Sequence, residues 1–113
     1  MERSSSDFSS SPSYGLILIL SSGEEFTFNS LPISIGRSSE NDLVIQQETV
    51  SSTHARIFYN DAIRKICILD LDSLNGIFID RFPTRLNVLY DGIQIGLGDE
   101  SVTFRDTGYI HHS

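Results

Sequence analysis

Cysteine is nearly missing from this chain. Cys67 stands alone among 113 residues, so neither an internal disulfide framework nor a cysteine-rich metal site can form. A reducing compartment is therefore permitted. Cations are also scarce: eight Lys and Arg against fifteen Asp and Glu leave a formal charge of −7, and no cationic run exceeds two residues. That balance argues against nucleic acid or an anionic membrane as the main partner, although one or two arginines can still hold a phosphate locally. Long apolar runs are absent. The longest, Leu16 to Leu20, falls far short of the roughly 20 residues that cross a bilayer, so no direct membrane insertion is expected. The N-terminus lacks the apolar stretch of a secretion signal. The expected location is cytoplasmic, or a cytosol-facing domain of a larger protein. The three histidines, His54, His111 and His112, are scattered or terminal, and no carboxylate–histidine spacing recurs, so no metal and no cofactor are expected. No stretch of about twelve residues carries helical periodicity, and there is no internal repeat.

What the chain does have is alternation. Residues 1–13 contain seven serines and little to bury, which reads as a disordered tail or linker. From Tyr14 the pattern becomes β-like, giving one domain over 14–106 and a flexible end over 107–113. Strand candidates are Leu16–Leu20, Glu25–Phe28, Ile33–Ile35, Leu43–Ile45, Ala55–Tyr59, Lys65–Asp70, Ile77–Asp80, Ile93–Ile95 and Val102–Arg105, with Leu86–Leu89 weaker. Ile33 and Ile35 flank Ser34, Ile57 and Tyr59 flank Phe58, and Val102 and Phe104 flank Thr103. Turn clusters such as Ser38-Ser39-Glu40-Asn41-Asp42 and Tyr90-Asp91-Gly92 separate the strands. Many short strands with regular turns imply an all-β sandwich or a closed barrel.

Three polar clusters stand at the ends of apolar runs: Gly36-Arg37, Ser51-Ser52-Thr53-His54, and Ser73-Leu74-Asn75-Gly76. A guanidinium offers a planar fork of donors for two phosphate oxygens. A hydroxyl adds a directional bond without charge, and a carboxamide offers both donor and acceptor to an extended peptide. Taken singly, each has a plainer reading: a surface arginine, a turn serine, and an Asn-Gly hairpin turn. In order and at this spacing, with Asp70-Leu71 ahead of the third cluster, they resemble the forkhead-associated (FHA) domain family from about Leu16 to Phe104.

The resemblance implies an eleven-stranded, antiparallel-rich β-sandwich with ligand-binding loops at one end, and a partner protein or peptide phosphorylated on threonine. It implies phosphopeptide contacts for Arg37, Ser51, Ser52, Leu74 and Asn75, and structural support of the site from Gly36, His54 and Gly76. Leu74 departs from the small polar residue common there, so one bond to phosphate is missing or falls to its backbone N–H. Ile77 and Ile93 depart similarly, the latter in a turn away from the ligand. A preference for phosphothreonine implies a recess for one methyl, worth about 0.8 kcal/mol, with Leu74 and the backbone around Ser52 as candidates. Glu40, Asp42, Glu48 and Asp72 border the loops and point to ligands with basic flanks. Two other functions remain open: an FHA-like domain binding its partner without phosphate through a sheet face or edge, and a serine hydrolase built on Ser51, His54 and Asp70, which lacks the Gly-x-Ser-x-Gly elbow.

Overall fold

A computed structural model describes residues 13–110; the serine-rich tail and His111-His112 lie outside them, except for Ser13, which opens the first strand. Among the described residues there are eleven strands and no helix. They are β1 (Ser13–Ile19), β2 (Glu25–Phe28), β3 (Ile33–Gly36), β4 (Leu43–Val44), β5 (Ala55–Asn60), β6 (Lys65–Asp70), β7 (Ile77–Ile79), β8 (Phe82–Thr84), β9 (Leu86–Val88), β10 (Gln94–Leu97) and β11 (Glu100–Ile110).

Two sheets result, ordered β9-β6-β5-β3-β4 and β2-β1-β11-β10-β7-β8. The arrangement is a sandwich rather than a closed barrel. Pairing is antiparallel except between β3 and β4, where Ile35 pairs with Leu43 and Gly36 with Val44 in parallel. Each sheet turns one set of alternating residues inward: Ile33, Ile35, Ala55, Ile57, Ile66 and Ile68 from one, and Leu16, Leu18, Ile77, Ile79, Ile95, Leu97, Val102 and Phe104 from the other. Burial of each such Ile, Leu or Phe stabilises by about 1.5–3 kcal/mol, so a one-residue slip of any strand would expose its whole set.

Three departures from the sequence reading have local causes. β8 contains Pro83, which removes a ladder donor, yet β8 is the outer strand of its sheet, where proline is tolerated. Its turn from β7 is Asp80-Arg81, both at positive φ (51° and 71°), instead of the Asn-Gly that normally signals a two-residue hairpin. Asn75-Gly76 is not a hairpin: β6 before it and β7 after it belong to different sheets. Gly76 sits at φ 79°, a conformation glycine adopts without penalty, as the chain crosses between layers. Finally, the end expected to be flexible from residue 107 continues β11 through Ile110, with a register shift between Asp106 and Tyr109 and pairing of Tyr109 with Tyr14.

Candidate functional site

The three polar clusters meet at one end of the sandwich, in the loops 37–42, 45–54 and 71–76, and main-chain bonds lock them together. Arg37 N–H donates to the Ser51 carbonyl at 2.9 Å and Ser38 N–H to the Ser52 carbonyl at 3.1 Å. This approach needs Gly36, which is buried where a side chain would strike the Ser52 backbone. Asn41 adds a second tie, its Nδ2 donating to the carbonyls of Ser38 at 2.9 Å and Ser52 at 2.7 Å.

His54 is fully buried. Its Nδ1 accepts from Ser51 N–H at 3.1 Å, which leaves the proton on Nε2 to donate to the Gly76 carbonyl at 2.8 Å. One imidazole thus braces the serine loop against the Asn-Gly loop. The 71–76 loop is shaped by a relay: Gly76 N–H donates to Ser73 Oγ at 2.9 Å, and the Ser73 hydroxyl donates to the Asp70 carboxylate.

Ser51 and Leu74 are joined directly, Leu74 N–H donating to Ser51 Oγ at 2.9 Å. The Leu74 N–H is therefore already engaged and does not replace the missing side-chain hydroxyl as a donor to phosphate. The Leu74 side chain itself projects from the loop, 87% exposed. Ser51 keeps its own proton, for which no described residue acts as acceptor. The exposed Arg37 guanidinium likewise makes no ion pair or hydrogen bond with any described residue. Asn75 Nδ2 donates to the Thr49 carbonyl at 2.7 Å, and its Oδ1 has no donor among the described residues. Ser52 and Thr53 are exposed beside them.

These contacts dismantle a hydrolase relay. Ser51 meets His54 through its backbone N–H and not its hydroxyl, both imidazole nitrogens are spent on main-chain groups, and Asp70 is engaged by Ser73. Among the described residues no group of His, Cys, Asp and Glu could hold a metal ion.

Of the four acidic residues expected to border the site, two are internally engaged. Asp42 accepts from Ser34 N–H at 2.9 Å and from the Ser34 hydroxyl at 3.1 Å, and Asp72 pairs with Arg85 at 3.1 Å. Glu40 and Glu48 remain exposed, their carboxylates without a partner among the described residues.

Sequence reasoning missed the supports from outside the three clusters. Thr49 holds Asn75 and also accepts from Asp99 N–H through Oγ1 at 2.8 Å. Gly98, in the β10–β11 turn, lets the Thr49 backbone approach so closely that an added Cβ would lie 2.4 Å from its carbonyl oxygen. Glu100, 4% exposed, accepts from Ser21 N–H at 2.6 Å and from the Gln47 carboxamide. Each pair is far apart in sequence, so no local spacing signals it.

The sequence pattern of the FHA domain matches residues 33–98. The oxoglutarate dehydrogenase inhibitor of Corynebacterium efficiens is 30% identical over 82 residues, covering 73% of this chain and 56% of that protein, so the chain spans about half the length of this relative. Among solved structures, Mycobacterium tuberculosis EmbR in complex with a low-affinity phosphopeptide superposes with a TM-score of 0.74 at 28% identity, over 87% of this chain and 26% of that one. An FHA domain solved in work on phosphothreonine-dependent FHA domain interactions gives 0.72 at 25% identity, over 88% of this chain and 99% of the other. With the matched residues spanning more than half of it, the chain belongs to the FHA domain family.

Proposed function

We propose that this domain is an interaction module for threonine-phosphorylated peptides, acting as an adaptor in signalling or assembly, with Arg37, Ser51 and Asn75 as its principal contacts. The observation that carries this reading is a set of unspent groups on a rigid frame. Three loops are fixed by main-chain bonds and a buried histidine, and at their tips a guanidinium, a hydroxyl proton and a carboxamide oxygen have no partner among the described residues. The two donors match phosphate oxygens, and the acceptor matches an N–H of an extended peptide. The known complex of EmbR with a phosphopeptide supports the reading.

Binding of this kind needs no bond-breaking, and the engaged Ser51, His54 and Asp70 offer none. Ser52 lies exposed at the rim, where its hydroxyl adds a weaker contact, and Leu74 supplies apolar surface instead of a phosphate donor. Glu40 and Glu48, whose carboxylates border the loops without a partner among the described residues, favour ligands with basic flanks. A cytosol-facing location fits a lone, buried thiol.

Calorimetric titration with paired threonine and phosphothreonine peptides tests the proposal. Phosphorylated members bind and their unphosphorylated twins do not. Arg37→Ala loses at least about tenfold in affinity, because each charged hydrogen bond contributes roughly 1.5–3 kcal/mol. Equal binding of both twins would instead assign the partner contact to a surface that does not read phosphate.

A further inference from the structure

In a sandwich, alternation sends polar side chains to the solvent faces. The five-stranded sheet breaks that rule. Pairing sets Leu86, Leu69 and Arg56 in one row across β9, β6 and β5, and Val88, Cys67 and Phe58 in the next. Both rows face outward, since the alternate residues Ile57, Ile66 and Ile68 form part of the core. Even so, Cys67 is only 1% exposed while Leu86 is 51% exposed; the outer face carries its own apolar layer, closed over the thiol and open at its edge. Beside Phe58 and Leu69 a hollow of ≈ 320 Å³ is also lined by Pro32 and Arg56. Contiguous apolar surface of this kind marks a contact site more often than scattered apolar residues do.

The charges choose the occupant. Arg56 and Lys65 lie on this outward face by the same alternation, are exposed, and make no ion pair with any described residue. The neighbouring acid is Asp42, whose carboxylate is taken up by Ser34, the cross-strand neighbour of Arg56, and it makes no ion pair with the guanidinium. On a chain of formal charge −7, two unpaired cations bordering an apolar band complement carboxylates. A second copy of the chain is disfavoured, because two-fold pairing of this face crowds both sets of cations onto one small surface. The N-terminal segment offers Phe8 as its single aromatic residue before Tyr14, too little to cover the band.

We propose that the outer face of the five-stranded sheet, around Phe58, Leu69 and Leu86, docks a segment of a partner protein that is apolar along one side and acidic along its border, independently of phosphate. It adds a second contact to the loop-end site, away from Arg37 and Ser51, and does not rest on the phosphopeptide reading.

The probes are two synthetic amphipathic peptides with identical Leu/Phe sides, one carrying Glu and the other Lys at its polar positions, titrated into the whole 113-residue chain by NMR and calorimetry. The Glu peptide shifts amides of Arg56, Phe58, Leu69 and Leu86 and binds about tenfold more tightly than the Lys peptide. The double variant Arg56→Glu with Lys65→Glu, both at exposed positions, reverses that order. The proposal is overturned if neither peptide binds, if the two bind alike, or if the shifts fall on the loop end. Self-association through this face, or pelleting with phosphatidylglycerol vesicles, would overturn it in favour of a second copy or a lipid surface.

Discussion

A Cβ placed on Gly36 would lie 2.2 Å from the Ser52 carbonyl oxygen and 2.7 Å from Nδ2 of Asn41. The first obstacle is backbone, so it cannot rotate away, and the two loops must part. Gly36→Ala is therefore expected to destabilise by about 1–3 kcal/mol, as for other overpacked sites, a fall of roughly 4–8 °C in Tm per kcal/mol for a domain of this size. Parting the loops also stretches the 2.9 Å bond from Arg37 N–H to Ser51, so phosphopeptide affinity drops with stability. Thermal melts and calorimetry on one preparation check both; a variant that melts like wild type would show that the loops can separate at no cost. At this scale the sequence was readable in part. Gly36-Arg37 announced itself as a motif, but the reason for the glycine lay in Ser52, a neighbour only after folding. Ser51 was readable as a donor, whereas its acceptance of the Leu74 N–H was not.

Loops are only as rigid as their struts, and His54 is the strut between two of them. Replacing it by alanine leaves Ser51 N–H and the Gly76 carbonyl without their partner, and an unsatisfied buried polar group costs about 1–3 kcal/mol. His54→Ala is expected to lower Tm and to weaken phosphopeptide binding well below Tm. Retained affinity in a destabilised variant would reduce the imidazole to a packing role. A second brace ties the Tyr90-Asp91-Gly92 turn to β11, where Asp91 accepts from Arg105 Nε at 2.8 Å and from Asp106 N–H at 3.0 Å. The Arg105 hydrogen bond foremost, then the Asp106 N–H, holds the Asp91 carboxyl below its ordinary value of 3.8. A depressed carboxylate contributes stability that is fully present above the unfolded pKa and is lost as pH falls through the folded one. Wild type should thus melt slightly above Asp91→Asn at neutral pH, with the gap closing only below about pH 4; the pair is exposed, so the gap is small. A gap that widens in acid would contradict the assignment. Strand identity was legible wherever apolar residues alternated. It failed at Phe82–Thr84, where proline and a non-glycine turn hid an edge strand, and at Asn75-Gly76, because one sequence signal serves a hairpin and a crossing between layers.

The molecule as a whole opposes the charge of its proposed ligand. Its formal charge is −7, and a phosphothreonine adds close to two negative charges. On the proposed reading attraction comes from short contacts with Arg37 and Ser51, while the longer field, including Glu40 and Glu48, which have no partner among the described residues, repels. Alternation, which is local, was enough to read a sandwich or a closed barrel; the choice of a sandwich with a loop end came from the resemblance of the three motifs to the FHA family. The apolar outer face was not readable, because it depends on which strands pair and on what borders them. Salt separates the short and long terms, since the Debye length falls from about 10 Å at 0.1 M to about 3 Å at 1 M. A phosphothreonine peptide with neutral flanks should associate faster as salt rises from about 0.05 to about 0.5 M, because screening removes repulsion felt before contact. A peptide with lysines beside the phosphothreonine should show the opposite trend, since screening then removes attraction. Stopped-flow association at matched temperature measures both. If the neutral-flanked peptide slows with salt, the field at the loop end is positive despite the net charge, and the preference for basic flanks falls with it.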